Sequence, residues 1–222
     1  MNKPVDIIID FETLGYPPEG VVINLASIAF KEDPENPPTF KELINNSFLV
    51  KFDIKSQRGK RIFDEKVVEF WQNASPEMKE QVKYTGKEVD TNTGIKQFLD
   101  FCIKAGVNPY DSIIWSRGNA FDIPLMVDLI RRGFNTRETL VYEPVRFWQA
   151  RDIRTAIERT LMHRSMTECP LPMGTLDGFI AHNAVHDCAR DILMLIYSQR
   201  YAMGLEEFPE NPDPRSVKKQ RN

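Results

Sequence analysis

Four acidic residues and one histidine form three separated groups whose side chains suit metal-dependent phosphodiester hydrolysis. Asp10 and Glu12 lie at the end of an apolar run, and Asp122 follows a second apolar segment. His182 and Asp187 form the third group, and the groups are about 110 and 65 residues apart. Carboxylate oxygens are the ligands that Mg²⁺ and Mn²⁺ prefer. We therefore interpret these residues as a candidate centre for two divalent metal ions, Mg²⁺ or Mn²⁺.

Asp10 and Glu12 are two positions apart on a predicted strand, so their side chains point to the same face of the sheet. They stand at its carboxyl end, where α/β proteins bind ligands, and they repel each other unless cations neutralise them. The alternative is two solvated acids at a strand end. Asp122 is expected in the first turn of a helix, where a carboxylate also compensates the helix dipole. Asn119 could cap the same turn.

The third group contains an ambiguity, because His182 and Asp187 have the same spacing as His186 and Asp191. A histidine near its ordinary pKa can take a proton from water at neutral pH. We favour His182, because a residue ahead of the last helix can move over a substrate. His186 would then be a surface or capping residue. The two aspartates share one helix face, so the part played by Asp191 stays open.

Hydrophobic patterning predicts the elements that must position these side chains. Three strands come first, and their short connections favour an antiparallel meander. Later strands alternate with helices, which is typical of a mixed α/β sheet with helices on both faces. The predicted strands are 5–11, 21–30, 47–52, 111–116 and one within 138–150; the predicted helices are 63–71, one starting at 76, 92–105, 121–132, 152–160 and 183–201.

Composition bounds the class of protein. The chain has 222 residues and a net charge of -3, which argues against coating long duplex DNA through a broad basic surface. No apolar run is long enough for a membrane helix, and no signal peptide is evident, so we expect a cytoplasmic protein without a membrane partner. Three dispersed cysteines predict neither a disulfide framework nor a zinc site. We expect one domain over 1–205 and a disordered basic tail over 206–222.

The motifs together resemble those of the DEDDh exonucleases. The stretches that carry the resemblance are 10–13, 119–122 and 181–187. It implies a ribonuclease H-like fold, with a mixed five-stranded sheet of three antiparallel strands followed by two parallel ones, and removal of nucleotides in the 3'-to-5' direction. It also implies that Asp10, Glu12, Asp122 and Asp187 bind the metal ions, with His182 as general base. Within this branch, residues 147–155 and 71–72 look most like the phage exonuclease A (DexA) group and the RNase T-like exoribonucleases.

The same resemblance suggests contacts to the terminal nucleotide. The main chain around Thr13 would grip it and Leu14 would act as a wedge, although Leu14 also fits an ordinary apolar loop residue. Asn119 and Phe121 are further candidates, and core packing is the alternative for Phe121. Trp148 lies between arginines and could stack on a base, as aromatic side chains do in single-strand binding.

Three functions are compatible with these residues. The first is a metal-dependent 3'-5' exonuclease that releases nucleoside monophosphates from single strands or 3' overhangs. The second is a catalytically silent nucleic-acid-binding domain, and the third is another metallohydrolase such as a structure-selective endonuclease. All five motif residues are present, which favours the first. DNA is slightly favoured over RNA, with an exoribonuclease as the alternative. The source could be a phage or a bacterium, and the expected cytoplasm is that of a bacterium or of a phage-infected host cell. A homodimer stays open.

Overall fold

The sheet that organises the molecule has five strands. The computed structural model describes residues 3–217. In the order β3-β2-β1-β4-β5 the strands pair antiparallel from β3 to β1 and parallel from β1 to β5. The predicted mixed five-stranded α/β sheet is therefore confirmed. The strands are β1 Asp6–Thr13, β2 Val22–Phe30, β3 Ser47–Lys51, β4 Ile114–Ser116 and β5 Ala150–Asp152.

In the described part of the chain, seven α-helices surround the sheet: α1 Phe40–Asn45, α2 Glu65–Asn73, α3 Pro76–Gln81, α4 Thr91–Ala105, α5 Asp122–Gly133, α6 Ile153–Thr160 and α7 Ala184–Ala202. Six of them were expected from the sequence. Helix α1 was missed, although Thr39 and Glu42 form a capping box that marks its start. Ser75 caps α3 by accepting a hydrogen bond from the Met78 N–H. Among residues 3–217, no helix combines the length and apolar character needed to cross a bilayer.

Strand β1 is the centre of the molecule and is buried on both faces. Ile8 packs with α6 and α7 on one face, whereas Ile7 and Ile9 pack with α4 and α5 on the other. Because side chains alternate along a strand, Asp10 and Glu12 point to the same face as Ile8. The hydrophobic core thus fixes which helix the two carboxylates meet, and that helix is α7.

The segment after α7 is more ordered than its composition suggests. The Asp213 N–H donates to the Leu171 carbonyl at 2.8 Å, and the Leu171 N–H donates to the Ser216 hydroxyl at 2.9 Å. Phe208 stacks on Tyr201 with ring centroids 4.4 Å apart. Residues 206–217 therefore pack against the domain, in contrast to the disorder expected for 206–222, because single buried polar anchors leave no compositional signature. Residues 218–222 of that tail lie outside the described residues.

A buried arginine ties the loop after β1 to helix α5. The Arg61 guanidinium donates to the carbonyls of Gly20 at 2.7 Å and Pro18 at 3.0 Å. It also pairs with Asp128 of α5 at 2.8 Å, and each of the two side chains is only 2% exposed. Arg132 adds a second ion pair to Asp128, also at 2.8 Å. A single side chain thus links the loop beyond β1, through its backbone carbonyls, to the helix that begins at Asp122.

Arg61→Met should lower the free energy of unfolding by about 3 kcal/mol, because it removes one partner of a buried ion pair and leaves two carbonyls without their donor. Urea unfolding of the metal-free protein would measure this change. Lys3→Met is the matched control, because it breaks the exposed pair with Asp33 and should leave the unfolding midpoint almost unchanged. Equal midpoints for the two variants would contradict a structural role for Arg61.

Candidate active site

Three carboxylates from two distant parts of the chain meet at the carboxyl end of β1. One oxygen each from Asp10, Glu12 and Asp187 lie within 4.8 Å of one another. The first two project from β1, and Asp187 projects from the first turn of α7. Such a group of closely spaced carboxylate oxygens has the donor chemistry that a hard divalent cation requires.

Asp122 joins this group from the other side of β1. It opens α5, and its Oδ1 accepts a hydrogen bond from the Phe11 N–H at 3.1 Å. Phe11 lies between the two acids of β1, so this bond fixes Asp122 beside them. The structure therefore brings together all four acids that the sequence singled out. The capping role considered for Asn119 is wrong: its side chain accepts a hydrogen bond from the Ser116 hydroxyl at 2.9 Å, and the helix has no side-chain cap.

The electrostatics of the site are those of crowded, buried negative charge. Burial raises the pKa of Asp10 well above its ordinary value, and Asp122, Glu12, Asp187 and Asp191 raise it further. Burial, followed by Asp187 and Asp122, raises the pKa of Glu12 to about 9. Burial is also the main reason that the pKa rises to about 7 for Asp122 and to about 6 for Asp187. A divalent cation would offset both the burial of negative charge and the repulsion between the acids, so the residues fit such an ion.

Two arginines that the sequence analysis did not single out hold the acids of α7. Arg190 Nη2 lies 2.9 Å from Asp187 Oδ1. Arg117, directly after β4, donates through Nε to both carboxylate oxygens of Asp191, at 2.8 and 2.9 Å. Asp191 is thus engaged by an arginine and lies outside the close group of three carboxylates. The i, i+3 spacing of Asp187 and Arg190 was a usable signal for the first contact. No local pattern predicts the second.

His182 lies in the loop that enters α7, as predicted, and its ring faces aromatic side chains of α2. It adopts a left-handed backbone conformation with φ of 57°. Its ring centroid is 5.3 Å from that of Phe70 and 6.3 Å from that of Trp71. Burial lowers the pKa of His182, and the nearby Arg190 lowers it further. Both effects favour the neutral imidazole, which is the form that can accept a proton.

His186 has a different environment, in which the backbone and helix α1 engage its ring. Its Nδ1 accepts a hydrogen bond from the Ile180 N–H at 3.0 Å. Its ring packs edge-on against Phe40 of α1 at 5.4 Å. One ring nitrogen is thus occupied by the backbone, and the ring contributes to the contact between α7 and α1.

The candidate contacts to a terminal nucleotide lie at the site end of the sheet, with one exception. The buried Thr13 ends β1, and its carbonyl accepts a hydrogen bond from the Trp71 indole at 2.9 Å. Leu14 is half-buried, and its N–H donates to the Val21 carbonyl at 2.7 Å. Phe121, also half-buried, packs against the core between β1 and α5, as its alternative interpretation anticipated. Asn119 stands in the loop between β4 and α5.

Trp148 is the exception, because the structure places it away from the carboxylates. It is 53% exposed and lies in a short 3-10 helix just before β5. Ala150 of β5 pairs with Ile114 of β4, which in turn pairs with Ile7 of β1. Since these three strands are parallel, Trp148 stands near the amino end of the sheet, opposite the acids. The sequence could not show this, because it does not give the register of β5.

Comparison with known proteins agrees with this geometry. Residues 5–196 match the family model described as the 3'-5' exoribonuclease Rv2179c-like domain. An exodeoxyribonuclease of Enterobacteria phage T4 is 47% identical over 225 residues, which cover 97% of this chain and 99% of the relative. The predicted relationship to the DEDDh exonucleases and to a phage exonuclease is thereby confirmed.

Solved structures show the same fold at low sequence identity. The nuclease domain of 3'hExo, a DEDDh family member bound to rAMP, aligns with a TM-score of 0.55 and 14% identity over 95% of this chain and 98% of that chain. Exonuclease I of E. coli in complex with a dA16 oligonucleotide aligns with a TM-score of 0.56 and 13% identity over 91% of this chain. The present chain spans only 43% of that exonuclease I chain. Taken together, these findings show that the chain is a 3'-5' exonuclease of the 3'-5' exoribonuclease Rv2179c-like family and has the fold of a DEDDh nuclease domain.

Proposed function

We propose that this exonuclease removes nucleoside monophosphates from the 3' ends of single strands or 3' overhangs, with two divalent metal ions, Mg²⁺ or Mn²⁺, as cofactors. The observation that carries the proposal is the group formed by Asp10, Glu12 and Asp187, whose oxygens lie within 4.8 Å of one another. Asp122 completes the set from the other side of β1. When bound, two such ions would activate water and stabilise the leaving 3' oxygen.

His182 would act as the general base of this reaction. It stands at the entrance to α7, where its backbone N–H contacts Asp187. Its lowered pKa favours the neutral imidazole, which can accept a proton from the attacking water. The aromatic rings of Phe70 and Trp71 restrict its position. His186 cannot take this role without breaking its bond to the Ile180 N–H.

The terminal nucleotide would lie against the end of β1. Thr13 would contribute its main chain and Leu14 an apolar wedge, since both follow directly after the acids. Asn119 and Phe121 would border the nucleotide from the loop before α5. Trp148 lies too far along the sheet to contact the same nucleotide, so its sequence-based assignment receives no support from the geometry.

DNA is the favoured substrate, and RNA is the second candidate. The phage T4 relative, which aligns over nearly its whole length at 47% identity, is named an exodeoxyribonuclease. The family model is described as an exoribonuclease domain, which keeps trimming of RNA 3' ends as the alternative. The phage relative also supports a place of action in the cytoplasm of a bacterium or of a phage-infected host cell.

A time course on matched 5'-labelled single-stranded DNA and RNA tests the proposal directly. With Mg²⁺ or Mn²⁺, the wild-type protein should produce a ladder that shortens from the 3' end, faster on DNA. EDTA and Asp10→Asn should each abolish the ladder, because both remove the metal centre. Immediate release of the labelled 5' nucleotide would refute the 3'-to-5' direction, and a single internal product would indicate an endonuclease. A faster ladder on RNA would favour the second candidate.

A pair of histidine variants tests the assignment of the base. His182→Ala should lower kcat by at least about a hundredfold, because general-base catalysis contributes typically 10²–10⁴-fold. Its melting temperature should still rise on addition of Mn²⁺, since the four acids remain. His186→Ala is the matched control: it should lower the melting temperature through its lost packing but keep most of kcat at a temperature where the variant is folded. If His186→Ala instead lost most of kcat and His182→Ala kept it, His186 would be the base.

A further inference from the structure

A groove that the proposed catalytic site does not use lies beside β3. It encloses about 410 Å³ between the end of β3, the loop that follows it and the loop after α3. Its apolar wall is formed by Ile23, Phe52, Ile54, Val82 and Tyr84. Tyr84 is 69% exposed, so its ring is accessible to a ligand in the groove. We call this feature the side groove.

One cation of the side groove, Lys51, lies on the same face of the sheet as the catalytic acids. Glu12 pairs with Asn24 of β2, and Asn24 pairs with Lys51 of β3. Residues directly opposite one another on antiparallel strands point to the same face, so Lys51 at the groove shares the face of Glu12. Neighbouring strands are about 4.8 Å apart, which places the backbones of these two residues about 10 Å from each other.

Helix α3 connects the groove to the loop of the proposed base. Val82, which lines the groove, directly follows this helix. The preceding residue, Gln81, accepts a hydrogen bond from the Asn183 amide at 2.8 Å, and Asn183 is the neighbour of His182. The groove and the loop of the proposed base therefore adjoin the same end of α3.

The charges of the groove suit a polyanion. Lys51, Lys55 and Arg58 line it, and the side chains of the last two are exposed. Two acids also line it, but backbone N–H groups bind both: Asp53 accepts from Lys55 at 2.9 Å, and Glu88 accepts from Thr85 at 2.6 Å. The ammonium of Lys55 lies 6.0 Å from the ring centroid of Tyr84.

Cations arranged around an exposed aromatic ring are the features with which proteins bind single strands. We propose that the side groove binds the nucleotides upstream of the cleaved one, with a base stacked on Tyr84 and phosphates beside Lys55 and Arg58. This inference rests on the proposed function, because it takes the nucleic acid strand as the occupant. It also predicts that the affinity of the protein depends on strand length, since a strand of two nucleotides ends before the groove.

The test is fluorescence anisotropy with 5'-labelled single strands of two and ten nucleotides, in EDTA so that turnover does not interfere. Tyr84→Ala should weaken binding of the ten-nucleotide strand by roughly tenfold, the effect of one lost base–aromatic stack. The double variant Lys55→Glu and Arg58→Glu should weaken it more and reduce its salt dependence. Neither variant should change the affinity for the two-nucleotide strand.

Tyr110→Ala is the matched control. This tyrosine is 62% exposed and also lies beside a cation, Arg146, but it precedes β4 at the opposite end of the sheet. Its removal should leave both affinities unchanged. The proposed subsite would be overturned if the groove variants bound the ten-nucleotide strand as tightly as the wild-type protein does. An equal loss of affinity for the two strands would also overturn it. Absence of cleavage by the wild-type protein would instead overturn the proposed function, and the binding measurements would still test the groove.

Discussion

Mutual repulsion among buried carboxylates is the constraint on which the rest of this structure depends. Asp10 and Glu12 are fixed on the central strand, whose two faces are covered by the hydrophobic core. Asp122 and Asp187 are brought to them by helices that pack on that core. The packing energy of the sheet and helices therefore holds together acids that repel one another. Burial raises their pKa values, and the charges of the neighbouring acids raise them further. Such an arrangement is stable and useful when a divalent cation neutralises it.

The surrounding residues limit this repulsion without closing the site. Arg190 contacts Asp187, and Arg117 binds both oxygens of Asp191. The pair of Arg117 and Asp191 fixes α7 against the loop after β4, whereas Arg190 and Asp187 lie on the same helix. Asp10 and Glu12 have no basic partner among the described ion pairs. The carboxyl groups with the most strongly raised pKa values are therefore those left for a bound cation to neutralise. His182 lies at the edge of this group, where burial lowers its pKa and Arg190 lowers it further.

Much of this architecture could be predicted from the sequence, because the strongest constraints are local. The alternation along β1 placed both acids on one face, and the spacing of His182 and Asp187 located the start of α7. Long-range packing was harder to predict. Trp148 was assigned to the substrate because its neighbours are basic, yet the register of β5 places it at the opposite end of the sheet. Arg117 was not recognised because its partner Asp191 is distant in the sequence.

The most direct test of the central claim is the melting temperature as a function of pH, with EDTA or with Mn²⁺. The folded-state pKa values of the acids are raised, to about 9 for Glu12, so the metal-free protein should lose stability as pH rises from about 5 to 9. Mn²⁺ should raise the melting temperature most at the high end of this range. Asp10→Asn should flatten the metal-free decline and reduce the Mn²⁺ effect, whereas Asp100→Asn, on the exposed side of α4, should change neither. A metal-free protein that gains stability with rising pH, or that does not respond to Mn²⁺, would contradict the account.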